Sequence, residues 1–278
     1  MSTPHTTPSA ARYTTQSAEP PHHVYIQPGF QWDQQNAYLF DIDGTLLRSR
    51  DRIHYDSFFE SVREVMGHEL DLSGVTLHGN TDPGILRDAF LQTTVDDSHW
   101  RASLEEVLER MRATVAAQRD RMQLVRMPAI EETLQYLARK GAALGVATGN
   151  LESIGWVKIE TVGLRHWFQF GGFSDHYLDR ADMIAHAADK ARQIAGEHAT
   201  VCVVGDTESD IHAARANHLP TIAVATGNRT FEQLMHLNPE VCATSLHALL
   251  DITPGARTTP APTNPAQNTG AQNTRAKK

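Results

Sequence analysis

The chain has 278 residues, 21% charged and 40% apolar, with 33 acidic against 25 basic side chains and a formal charge of −8. That balance speaks against a phosphate-backbone binder, which normally carries a basic patch and a high pI, so nucleic acid is not an expected partner. Cys202 and Cys242 form no CxxC pair and no run of about 18 apolar residues offers a membrane span, which argues against a disulfide scaffold, a zinc finger, an iron-sulfur site and a transmembrane helix.

Residues 1–23 are rich in Ser, Thr, Pro and Ala without apolar periodicity, and residues 253–278 repeat that composition, so both read as disordered tails. The N-terminus has no basic stretch followed by an apolar one, which makes a cytoplasmic protein with no membrane partner the expectation. Oligomeric state is left open.

Between the tails the first buried strand runs from Ala37 to Phe40 and stops at Asp41. A long interval follows, Arg48 to about Arg126, which reads as helices at 53–66, 83–93 and 100–118 without an obvious strand. In the last of these, Leu104, Val107, Leu108, Met111 and Val115 form one apolar stripe. Helical patterns recur at 128–140, 151–163, 181–195 and 208–216, and apolar runs at Ala143–Ala147, Thr200–Val204 and Pro220–Ala225. Short runs that are apolar on both faces and separated by helices describe a parallel sheet. The expected fold is therefore an α/β doubly wound, Rossmann-like sheet. Its core spans 24–52 and 122–252, with a helical cap inserted at 53–121, more than one βαβ crossover requires. An insertion just past the first strand would cover the C-terminal strand ends, where open α/β sheets bind ligands.

Three clusters at strand ends carry chemistry. In Asp41-Ile42-Asp43-Gly44-Thr45, two carboxylates leave the sheet on one side of the chain and Gly44 permits a tight turn; solvated loop acids with a turn glycine are the bland alternative. Gly205-Asp206-Thr207-Glu208-Ser209-Asp210 opens a helix, and an ordinary acidic N-cap explains it in isolation. Two such clusters on one sheet make an oxygen-rich anionic pocket of the kind Mg²⁺ selects. Thr148-Gly149-Asn150 supplies a hydroxyl and backbone N–H groups at a helix start, suited to phosphoryl oxygens or to a plain cap. Lys158 follows two turns later and can lean back toward that helix start. The fifteen histidines include no HxH or HExxH spacing, and Arg48, Arg50 and Arg52 read as solvated hinge charges or as contacts for a second anionic group.

In this order, DIDGT at 41–45, ATG at 147–149, a lysine and GDTESD at 205–210 resemble the haloacid dehalogenase superfamily over residues 35–250. The helical insertion, with His78-Gly79-Asn80-Thr81-Asp82-Pro83, resembles the cap of its phosphoglycolate phosphatase-like branch. The resemblance implies a Mg²⁺-dependent phosphatase of small phosphate monoesters working through an aspartyl-phosphate. Asp41 would be the nucleophile and Asp43 the acid and base. Thr148, Gly149 and Lys158 would bind the phosphoryl group. Asp41, Asp43 through its carbonyl, and Asp206 would hold the metal, with Asp210 positioning its waters or the lysine. Many relatives carry a Lys-Pro pair where this chain reads Ser174 to Arg180, so Arg180 and Lys190 stand as alternatives to Lys158.

A sugar-phosphate mutase shares these motifs and is the alternative function. A dehalogenase needs neither Asp43 nor a metal, and a phosphorylated receiver module has no cap.

Overall fold

The computed structural model describes residues 22–256; most of both sequence-read tails lies outside the described residues. In chain order the strands are β1 (Val24–Ile26), β2 (Ala37–Phe40), β3 (Leu47–Ser49), β4 (Leu124–Arg126), β5 (Ala143–Ala147), β6 (Phe170–Gly172), β7 (Val201–Gly205), β8 (Thr221–Val224) and β9 (Val241–Ala243). The helices are α1 (Ile53–Met66), α2 (Asp82–Phe90), α3 (Asp97–Ala117), α4 (Ile130–Arg139), α5 (Glu152–Thr161), α6 (Arg180–Ala195), α7 (Glu208–Ala216), α8 (Phe231–Met235) and α9 (Leu246–Asp251).

Seven strands form one sheet in the order β1-β9-β8-β7-β2-β5-β6, parallel throughout except that β1 runs antiparallel to β9. The period-two alternation of β2 explains how both faces are covered. Tyr38 and Phe40 pack with Leu144, Val146 and Val204 under α4 and α9, while Ala37 and Leu39 pack with Val201 and Val203 under α6 and α7. Burial of each of these large side chains contributes about 1.5–3 kcal/mol, so neither face can be exposed cheaply.

The stretch between β3 and β4 contains α1, α2 and α3, whose apolar faces make a separate cluster around Val62, Leu86, Trp100, Leu108 and Met111. Leu151 and Ile154, at the start of α5, belong to the same cluster and tie these helices to the sheet side. The sequence pattern shows no strand flanking this region, yet β3 and β4 pair antiparallel as a two-stranded ribbon. Three residues are too few for a periodicity to register. The described residues also run past the expected boundary at 253. Thr253 accepts the Trp32 indole N–H and donates to the Leu249 carbonyl, and Ala256 is buried. Among the described residues no helix is long and apolar enough to cross a membrane, and both cysteines are free and buried.

Candidate active site

Sheet register brings the strand-end residues together. Phe40 stands opposite Val146 on one side and Val204 on the other, so Asp41 emerges level with Ala147 and Gly205, and Thr148 and Asp206 follow one residue later. Here the chain leaves central β2 between neighbours reached in opposite directions, the switch point at which such sheets form a crevice. Gly44 is needed for the turn. Its φ is +93°, and a Cβ there would sit 2.4 Å from Asp206 Oδ2.

One half of the site is acidic. Asp41, Asp206 and Asp210, all buried, each offer an oxygen within 4.8 Å of the other two. Arg180, the first residue of α6, donates from Nη2 to Asp41 Oδ1 at 2.8 Å and Asp210 Oδ1 at 2.6 Å. Thr45 donates to Asp206 Oδ1 at 3.1 Å. Asp210 is also structural: its Oδ2 accepts from the Thr207 backbone N–H and hydroxyl, closing the capping box of α7. Burial pushes the Asp41 carboxyl up, and Asp210 and Asp43 add to this against the pull of Arg180. Burial, then the charges of Asp41 and Asp210, raise Asp206 in the same sense. For Arg180 burial works against the charge, but Asp210 and Asp41 outweigh it and hold the guanidinium protonated. Three carboxylates against one guanidinium leave two negative charges if all ionise, and the donors are all oxygen. That donor set fits a divalent hard cation such as Mg²⁺, whose charge would favour the ionised carboxylates and counter the raised values.

The other half is a hydrogen-bonded chain around Lys158. Its Nζ donates to Asp43 Oδ2 at 2.6 Å and Asn150 Oδ1 at 2.8 Å, and lies 3.1 Å from His54 Nδ1. An ammonium has only donors, so His54 Nδ1 accepts and Nε2 carries the proton it gives to Asp82 Oδ2, 3.1 Å away. Asn150 Nδ2 donates to Asp43 Oδ2 at 2.9 Å and to Thr148 Oγ1 at 2.7 Å. The Asp43 side chain, 42% exposed, faces the opening rather than the carboxylate cluster. Partial removal from water by its neighbours would raise its carboxyl, but Lys158 and Asn150 outweigh this and hold it below the ordinary range.

The inserted helices dock here through the Gly79–Pro83 stretch. Thr81 caps α2 by accepting from Gly84 N and donates to the Leu178 carbonyl; Asp82 N–H donates to the Gly149 carbonyl, and Leu151 N–H to Asp82 Oδ2. Gly149 is packed so tightly that a Cβ would lie 2.0 Å from the Asn80 carbonyl oxygen. Its lack of a side chain thus serves the approach of the two layers.

Asp41, Asp43, Thr148, Gly149, Lys158 and Asp206 therefore line one cavity of about 260 Å³, with Asp210 behind it. Of the alternatives to Lys158, Arg180 lines the cavity too, while Lys190 is spent on the Gly171 carbonyl and lies elsewhere. Arg48, Arg50 and Arg52 do not reach the cavity; Arg48 holds the Thr226 carbonyl and Arg52 pairs with Asp56. The sequence by itself does not mark Asn150, His54 and Asp82 as site residues. Asn150 and Asp82 sit inside motifs, whereas His54 carries no local signal. At the surface, His22, His247 and Asp251 also offer atoms within 4.8 Å of one another, a gathering across more than 200 positions that local histidine spacing does not reveal.

Comparison with known proteins agrees with this geometry. Residues 38–224 match the family model of the haloacid dehalogenase-like hydrolases. The phosphoglycolate phosphatase of Xanthomonas campestris pv. campestris is 30% identical over 204 residues, covering 69% of this chain and 84% of the relative. Probable phosphatase IndB of Dickeya dadantii is 25% identical, covering 77% and 95%. The phosphoglycolate phosphatase of Agrobacterium fabrum is 30% identical, but this chain spans about half its length (52%). Among solved structures, a predicted phosphatase from Clostridium acetobutylicum superposes with a TM-score of 0.55 at 23% identity, over 74% of this chain and 92% of that one. The chain belongs to the haloacid dehalogenase-like hydrolases and is an enzyme of that family, with phosphatases among its relatives.

Proposed function

We propose that the protein hydrolyses small phosphate monoesters through an aspartyl-phosphate on Asp41. The observation that carries this is the placement of a buried carboxylate between an acidic, cation-fitting cluster and a lysine-bearing one. A carboxylate can approach a phosphate only where positive charge cancels the repulsion. Asp41, Asp206 and the Asp43 carbonyl would hold Mg²⁺, which when bound supplies that cancellation on one side. Lys158 supplies it on the other, where the Thr148 hydroxyl can donate a hydrogen bond to a phosphoryl oxygen.

Attack of an Asp41 oxygen on phosphorus forms the acyl-phosphate bond as the P–O bond to the alcohol breaks, and Asp43 gives the departing oxygen its proton. Asp43 then takes a proton from the water that attacks phosphorus, which releases phosphate and restores Asp41. With Lys158 and Asn150 on its carboxylate, Asp43 rests ionised, the form that suits a base. Its acid role requires Lys158 to turn from Asp43 to the incoming phosphoryl group, an anion that competes for the ammonium, and the freed Asp43 carboxylate to take up a proton from solvent before the alcohol departs. The inserted helices α1–α3 act as the cap over this chemistry.

The phosphatase names of the curated relatives favour hydrolysis over transfer to a second sugar hydroxyl. The test is phosphate release from a panel of monoesters with Mg²⁺ present, by wild type and Asp41→Asn. Turnover by wild type that the variant lacks supports the reading, and an isomeric phosphate ester as product instead of free phosphate would replace it with a mutase.

A further inference from the structure

Away from the carboxylates, the cavity is walled by Tyr55 and Phe58 of α1, Leu77, and Ile85 of α2. This is the end that receives the alcohol half of a substrate whose phosphoryl group sits between Asp41 and Lys158. The charged groups reaching it already have partners. Asp51 accepts the Ile53 and Gln123 backbone N–H groups, one on each oxygen. Asp82 accepts from His54 and Leu151, and the acceptors of Lys158 are Asp43, Asn150 and His54. Among the described lining residues the lysine and arginine side chains are Lys158 and Arg180 alone, both at the phosphoryl end. Arg52 stacks over the outer Tyr55 ring at 4.4 Å and pairs with Asp56, outside the lining. His78, exposed at the rim, is engaged by Asn228.

A second anionic group on the substrate would lie against apolar side chains, near the Asp51 and Asp82 carboxylates, with no counter-charge. Desolvating an unpaired anion is strongly unfavourable, whereas apolar surface placed there leaves water at a gain. We infer that the enzyme selects monoesters whose alcohol half is uncharged and apolar, small enough for about 260 Å³, and discriminates against esters carrying a carboxylate beside the phosphate. The inference rests on the phosphatase reading above and sets this chain apart from the substrate in the names of several relatives.

A pair matched in heavy-atom number and connectivity tests it: 2-methylpropyl phosphate and phosphoglycolate differ by a branched alkyl end against a carboxylate. With Mg²⁺, kcat/KM should be higher for 2-methylpropyl phosphate by about tenfold or more, the scale of one lost charge partner in a binding site. In Tyr55→Lys, at a half-buried wall position, the ratio should move toward phosphoglycolate by about tenfold. Equal or better turnover of phosphoglycolate by wild type, or no movement of the ratio in a folded Tyr55→Lys, overturns the inference while leaving the phosphatase reading intact. Failure to release phosphate from either ester and from p-nitrophenyl phosphate would remove the phosphatase reading itself and this inference with it.

Discussion

The two halves of the site are built in different ways. The acidic half, Asp41, Asp206, Asp210 and Arg180, comes from strand ends and helix starts of the sheet layer, with every member buried. The lysine half, Asp43, Asn150, Lys158, His54 and Asp82, crosses from the sheet layer to the inserted helices and opens to the cavity. A half held in one rigid layer can hold charge density that would be unstable elsewhere. A half shared between two layers can change its contacts when a ligand arrives, and its geometry depends on how the layers dock.

The sharpest break of the acidic half is Asp41→Asn, which keeps the shape but removes the oxygen charge on which the proposed nucleophile depends. Phosphate release should fall by about 10³-fold or more while the folded far-UV spectrum is retained. Residual turnover above about 1% of wild type, with contamination excluded, would contradict the nucleophile assignment.

Removing divalent cations should abolish activity, and readdition of Mg²⁺ should restore it. The acidic half also predicts a pH signature without the cation. Asp41 is pushed up to about 6 and Asp206 to about 8, so the folded state binds their protons more tightly than the unfolded state does. Their contribution to stability is then fully present below the ordinary carboxylate value and is lost as pH rises through that window. Melting temperature of chelated protein should fall between pH 5 and pH 8, and Mg²⁺ should raise it more at pH 8 than at pH 5. A Mg²⁺ increment independent of pH would place the cation elsewhere.

For the lysine half, Asp43→Asn should slow single-turnover phosphorylation by an alkyl phosphate about tenfold more than by p-nitrophenyl phosphate, because an alkoxide needs the proton and p-nitrophenolate does not. Equal losses in rapid-quench measurements would take Asp43 out of the acid role. The smallest effect belongs to His54→Ala, which removes one acceptor of Lys158 and one donor to Asp82. We expect kcat/KM to drop by about tenfold, from a hydrogen bond to charge worth about 1.5 kcal/mol, with melting temperature lowered by only a few degrees. A loss as large as that of Asp41→Asn would make His54 part of the chemistry rather than a support for Lys158.

Much of the architecture is legible in the sequence where patterns are long. The strands β2, β5, β7 and β8 are apolar on both faces, and the helices from α1 to α7 show in the spacing of their apolar residues. Asp41, Thr148 and Asp206 stand out because each follows such a strand and precedes a turn or helix start, so local pattern alone places them at the same end of a parallel sheet. The three-residue strands β1, β3, β4, β6 and β9 escape that reading, since no period is visible in three positions and pairing with a distant partner decides them.

What tertiary structure alone decides is which cation meets which carboxylate. In sequence, Lys158 is the first choice and Arg180 and Lys190 are alternatives that no local pattern eliminates. In space, α5 carries Lys158 to Asp43, the start of α6 carries Arg180 between Asp41 and Asp210, and Lys190 turns to a carbonyl. His54 reaches Lys158 from 104 positions away because α1 shares an apolar cluster with the start of α5. Local sequence determines strand ends and turns through backbone sterics and burial, which act over a few residues. Partner choice among charged side chains depends on the packing of whole helices and is set only when the layers have docked.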